Sequence, residues 1–137
     1  MKNQNKKNKY RNDFDKQVEW VLARMPKKVV RILEQVPIHV EDQPSRRRRQ
    51  ELKIEDPREI CGYFSGIPYG ECNTFSSCVP LPNYVKIFRR GIIEEARDEY
   101  GKVRRSNLRR QIQITILHEL AHLHGMNEED IVALGYG

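Results

Sequence analysis

One segment limits what this 137-residue chain can fold into: Arg104 to His124, its longest helically periodic stretch. At about 100° per residue, Leu108, Ile112, Ile114, Ile116, Leu117, Leu120, Ala121 and Leu123 cover nearly the whole circumference of a helix. A helix apolar almost all round belongs inside a protein, so the rest of the chain has to wrap it. One sector breaks the pattern. His118 and His122 fall about 40° apart, and Gln111 and Thr115 share their sector. Buried polar groups without partners are costly, so this stripe must face a cavity, a metal or a network of partners.

The stripe contains His118-Glu119-Leu120-Ala121-His122, the pattern H-E-x-x-H. Positions i and i+4 project from one helix face, so both imidazoles can reach one Zn2+. Glu119 follows the first imidazole, where its carboxylate can act as general base toward a water at the metal. Gly125 stands at the spacing H-E-x-x-H-x-x-G, where a chain leaving the helix needs a positive φ. A zinc site calls for a third protein ligand. His124 points away, about 120° from His118 and about 160° from His122. The turn beyond Gly125 offers Glu128, Glu129 and Asp130, and Glu128 completes H-E-x-x-H-x-x-G-x-x-E. Glu128 is the expected ligand, with Glu129 and Asp130 as alternatives. The plainer reading of all three is favourable charge at the start of a last helix carrying Ile131, Val132 and Leu134, capped by Asn127. The plainer reading of the two histidines is a hydrogen-bonded core pair, but that leaves Glu119 unexplained.

The rest of the chain reads as α+β. Asn12 or Asp13 can cap a helix that carries Phe14, Val18, Val21 and Met25 on one face, ended by Pro26. Lys27–Gln35 suits a second short helix. Val36–Val40 alternates and is β-branched, and its Pro37 favours an edge strand or a strand start. Residues 43–50, with Pro44, Ser45 and Arg46–Arg49, read as a surface loop. Ile60–Phe64 and Tyr84–Phe88 read as strands. Residues 66–82 read as a long loop, and Ile92–Tyr100 as a helix with Gly101 at its C′ position. The length suits one domain, 12–137, behind a disordered basic tail, 1–11.

Charge is unevenly placed. The net is +6, but residues 118–137 hold four acids and no Lys or Arg, leaving 25 basic against 15 acidic residues upstream, a net of +10. The basic tail and Arg46–Arg49 offer weak contact to nucleic-acid phosphates. No aromatic interleaves the arginine run, so a solvated loop is the simpler account. Residues 1–13 contain no apolar run of the secretory type, and no window approaches 18 apolar residues, so neither a secretory signal nor a membrane span is expected. Cys61, Cys72 and Cys78 are odd in number and form no C-x-x-C, so a disulfide framework is not expected and a reducing cytoplasm is the default. A Cys72–Cys78 loop or a three-thiolate metal site is the alternative to ordinary thiols.

The block HELAHLHGMNEEDIVALGYG resembles the C-terminal signature of the small bacterial zincin-like metallopeptidases, the minimal zincins. Ile60–Pro68 is similar to that family's Gly-Tyr/Phe-x-x-Gly-x-Pro segment, and Leu81 through Arg90 to its Pro-x-x-I-x-L-[YF]-R strand. The resemblance covers about residues 13–137 and implies a compact α+β fold, with a small, about three-stranded sheet beside the active-site helix. It also implies a zinc peptidase acting on a peptide or protein substrate, for which Tyr84–Phe88 is an expected docking edge. The basic tail, the arginine run and the Cys72–Cys78 loop depart from the family pattern. Two other readings stand beside it: a zinc-binding interaction protein without turnover, and a metal-dependent endoribonuclease. The second suits the basic upstream charge but not Glu119, nor the lack of a third His after Gly125.

Overall fold

The computed structural model describes residues 2–66, 83–123 and 129. Helix α1 (Lys2–Leu22) turns at Pro26 into α2 (Lys27–Gln35), which leads to β1 (Ile38–Glu41). Helix α3 (Arg46–Leu52) and a single 3-10 turn at Pro57–Glu59 precede β2 (Gly62–Ser65). Strand β3 (Tyr84–Phe88) runs directly into α4 (Arg89–Ala96), and α5 (Arg105–Leu123) follows. The described residues thus form an α+β fold with five α-helices and one three-stranded mixed sheet.

The strand order is β1-β3-β2, with β1 parallel and β2 antiparallel to β3. The register pairs Ile38 and Phe64 with Val85, and Val40 and Gly62 with Ile87. Alternation therefore puts Ile38, Val40, Phe64, Val85 and Ile87 on one face. Onto this face pack Phe14, Val18 and Val21 of α1, and Leu108, Ile112, Ile116, Leu120 and Leu123 of α5, in one buried cluster. The other face carries His39, Tyr63, Tyr84 and Lys86. There Arg48 of α3 lies over the Tyr63 ring and Lys86 pairs with Glu41 at 3.0 Å.

Ion pairs lock α1 to the sheet and to α4. Arg89 reaches Asp15 and Asp42, each at 3.0 Å, and Arg11 joins it on Asp42. Burial pushes the Asp42 carboxyl up, but hydrogen bonds from Arg11 and Arg89 outweigh that and hold it below its ordinary value.

Four expectations are corrected. The segment 1–11, read as a disordered tail, is helical from Lys2 onward, so Asn12 and Asp13 lie inside α1 rather than at its cap. The buried Phe14, Val18 and Val21 anchor the helix, Arg11 ties it to Asp42, and the Lys and Gln residues upstream are good helix formers. Arg46–Arg49 is not a loop but the first turn of α3. The Ser45 side chain caps it by accepting from the Arg48 N–H at 3.1 Å, and Arg47 and Arg48 pair with Glu51. Helix α4 ends at Ala96; the chain then turns through Asp98–Gly101, with Arg97 bridging Val103. Tyr84–Phe88 is the central strand, not an edge, because β1 and β2 pair with both its sides.

Candidate metal centre

Helix α5 positions the chemistry. Its apolar rows are drawn onto the sheet and α1, and this fixes the rotation of the helix about its axis. His118 and His122, one turn apart, come out half-buried on the same side. Their Nε2 atoms lie 3.2 Å apart, with ring centroids 4.9 Å apart and planes at 71°. Glu119 is buried, 7% exposed. One ligand atom from each of the three residues lies within 4.8 Å of the others. Tetrahedral zinc with Zn–N bonds of about 2.05 Å would set two imidazole nitrogens about 3.3 Å apart. The observed 3.2 Å fits that spacing, so the two Nε2 atoms lie close enough together to share one ion.

Gln111, Thr115 and His118 of the polar stripe do face a cavity. A cleft of about 240 Å³ is lined by Gln111, Thr115, His118 and Glu119 of α5, by Cys61 and Gly62 at the start of β2, and by Glu59 and Glu95 at its margin. The Thr115 hydroxyl donates to the Gln111 carbonyl at 2.8 Å. Gly62 lets β2 lie this close to α5: a Cβ there would come within 2.6 Å of the Lys86 carbonyl oxygen and 3.1 Å of the Thr115 methyl. Burial pushes the Cys61 thiol up to about 11, aided by the charge of Glu95 and opposed by hydrogen bonds with Thr115 and Gln111. The thiol therefore stays protonated and partners the helix stripe.

Sequence reasoning missed Cys61, Glu59 and Glu95 as cleft residues. Nothing local connects them to α5; strand pairing and the docking of α4 bring them there. Of the acidic candidates beyond Gly125, Glu128 and Asp130 lie outside the described residues, as do His124, Cys72 and Cys78. Glu129 is exposed and is not part of the His118–Glu119–His122 group.

The family model of the zincin-like metallopeptidases matches residues 33–136. The chain belongs to this family. The matched range spans β1, the sheet and all of α5, so it includes the His-Glu-His group and the acidic residues Glu128, Glu129 and Asp130. Zincin-like membership implies a metal, and the group on α5 is suited to hold one. No curated protein matches the chain in sequence. Among the described residues of this zincin-like chain, no helix is long and apolar enough to cross a membrane.

Proposed function

We propose that this zincin-like chain is a zinc-dependent metallopeptidase that hydrolyses peptide bonds. The observation that carries the reading is the 3.2 Å approach of two imidazole Nε2 atoms beside the buried Glu119, with His118 and Glu119 lining an open cleft. His118 and His122 would hold the ion, with Glu128 as the third ligand. Zinc, when bound, supplies Lewis acidity and acidifies water. Glu119 takes the proton from the attacking water and passes it to the leaving amine. Its burial restricts its rotamers, so the carboxylate is held in place for this transfer. Strand β2 lies at a sheet edge beside α5, and an extended peptide laid along it would bring a carbonyl into the cleft.

Two measurements test the proposal. Zinc per chain should be near one in the wild type and lost in His122→Ala; equal zinc content in both would put the site elsewhere. Glu119→Gln should keep the metal and stop cleavage of a denatured protein. Undiminished cleavage would remove Glu119 from the mechanism.

A further inference from the structure

Helix α5 carries a second polar stripe, away from the two histidines. Ser106, Arg109, Arg110 and Gln113 recur on it at helical spacing, and Trp20 of α1 and Arg24, in the turn just after α1, lie against them. Between the two helices lies a groove of about 270 Å³. Arg109 and His118 are separated by about 180° around the helix axis and about 13 Å along it, so the groove and the metal centre share no face.

Trp20 organises the groove. The guanidinium carbons of Arg24 and Arg109 sit 3.8 and 3.7 Å from its ring centroid. Arg24 donates to the Trp20 carbonyl at 3.0 Å, and Arg109 Nε to Gln17 Oε1 at 2.7 Å. Both side chains are held in place without a ligand, which lowers the entropy lost on binding. Their acceptors are a carbonyl and an amide, so the charge is not neutralised. Among the described residues, no carboxylate pairs with Arg24, Arg105, Arg109 or Arg110. Partial desolvation lowers the pKa of Arg109, and repulsion from Arg105 and Arg24 adds to it. Arg46–Arg49 differs: Arg47 and Arg48 share Glu51, and Arg48 also covers Tyr63. The run most conspicuous in the sequence is partly neutralised, whereas the α1/α5 groove is not.

We propose that the α1/α5 groove binds the phosphate backbone of single-stranded nucleic acid, a function separate from the metal centre. Guanidinium groups bind phosphate oxygens in pairs. Guanidinium groups seated over an indole also offer surfaces on which bases stack, a feature of no use to an acidic peptide. The groove is concave, and its apolar lining is Trp20, held between two arginines, and the buried Val21. It therefore presents nothing to insert into a membrane.

Trp20 is the only tryptophan of the chain, so its fluorescence reports from inside the groove. Titration with an oligouridylate of about twelve nucleotides should change that emission saturably. Phosphate contacts from the groove's three arginines, Arg24, Arg109 and Arg110, predict a slope of log K against log salt of about −2.1, at about −0.7 per contact on a single strand. Arg24 and Arg110 are exposed, so the double variant Arg24→Gln/Arg110→Gln should still fold, its urea midpoint lowered only by loss of the Arg24 contact with Trp20. Its slope should fall to about −0.7, the share of Arg109 alone. Filter binding should show at least tenfold weaker retention of the oligonucleotide. Arg46→Gln/Arg47→Gln and Glu119→Gln should bind as the wild type does, which separates this proposal from the peptidase reading. Absence of both a fluorescence change and filter retention would overturn it. So would a salt slope unaltered by the double variant, or polyglutamate or phosphatidylserine vesicles binding as tightly as the oligonucleotide.

Discussion

Gly91 gives a test in which local and tertiary reasoning predict opposite signs. It lies in the first turn of α4, against the chain that enters β2. A Cβ at this position would lie 1.8 Å from the Ile60 carbonyl oxygen, 2.6 Å from its carbon and 3.1 Å from the Cys61 nitrogen. Real Cβ atoms essentially never come within 3.0 Å of such a neighbour, so α4 and the Ile60–Cys61 segment would have to part by at least 1.2 Å. All three neighbours are backbone, so no side-chain rotation relieves the clash. The Phe88 N–H also donates to the Cys61 carbonyl at 2.7 Å, pinning the same segment. Helix propensity alone makes Gly91→Ala stabilising by about 1 kcal/mol. Overpacking costs about 1–3 kcal/mol and occasionally more, and a backbone clash belongs at the upper end. The expected net loss is about 2 kcal/mol. With an m-value of about 1.5 kcal/mol per molar urea, the midpoint should fall by about 1.3 M. The displaced segment carries Cys61, so iodoacetamide should also modify that thiol faster than in the wild type. A urea midpoint at or above that of the wild type would refute the packing account and leave propensity in control.

Other changes follow from the same geometry. Phe14→Ala should cost about 3–5 kcal/mol in urea unfolding, because the ring is 1% exposed and central to the α1–sheet contact. Lys9→Ala, on the exposed upstream turns of the same helix, should stay within about 0.5 kcal/mol. Asp42→Asn should cost up to about 1 kcal/mol at pH 7, since two arginines lose their shared carboxylate. The folded-state pKa of Asp42 lies below its ordinary 3.8, so its contribution is present above that value and is lost as pH falls through the lowered one. The gap between Asp42→Asn and the wild type should therefore close in acid below pH 3.8; a gap constant down to pH 2 would contradict the ion-pair account. Glu128→Ala should weaken zinc retention against a chelator more than Glu129→Ala does, and the reverse order would reassign the third ligand.

Several elements were readable from local pattern. Lys27–Gln35 and Tyr84–Phe88 have the expected bounds, and the stripe of Gln111, Thr115 and His118 does line a cavity. Pro37 placed the strand that follows it at a sheet edge, where a missing donor costs nothing. Arg46–Arg49 was misread because a charge run without apolar periodicity looks like loop, while a single cap hydrogen bond and i,i+4 pairing with Glu51 suffice for two turns of helix. The helical start of α1 was missed for a similar reason: its first turns bury little, and the tertiary anchor lies downstream at Arg11 and Phe14.

The metal motif and its helix were determined by sequence alone, because a spacing of four residues on a 3.6-residue period is a local geometric fact. The sequence also established that this helix must be wrapped by apolar partners. Tertiary structure decided the rest. Strand order made β3 central, moving the candidate docking edge to β2. Docking of α4 brought Glu95 to the cleft, and β2 brought Cys61, from positions far away in the chain. The packing of α1 on α5 set Trp20 between Arg24 and Arg109. Each of these depends on contacts between residues tens of positions apart, and neither composition nor periodicity carries information about such distances.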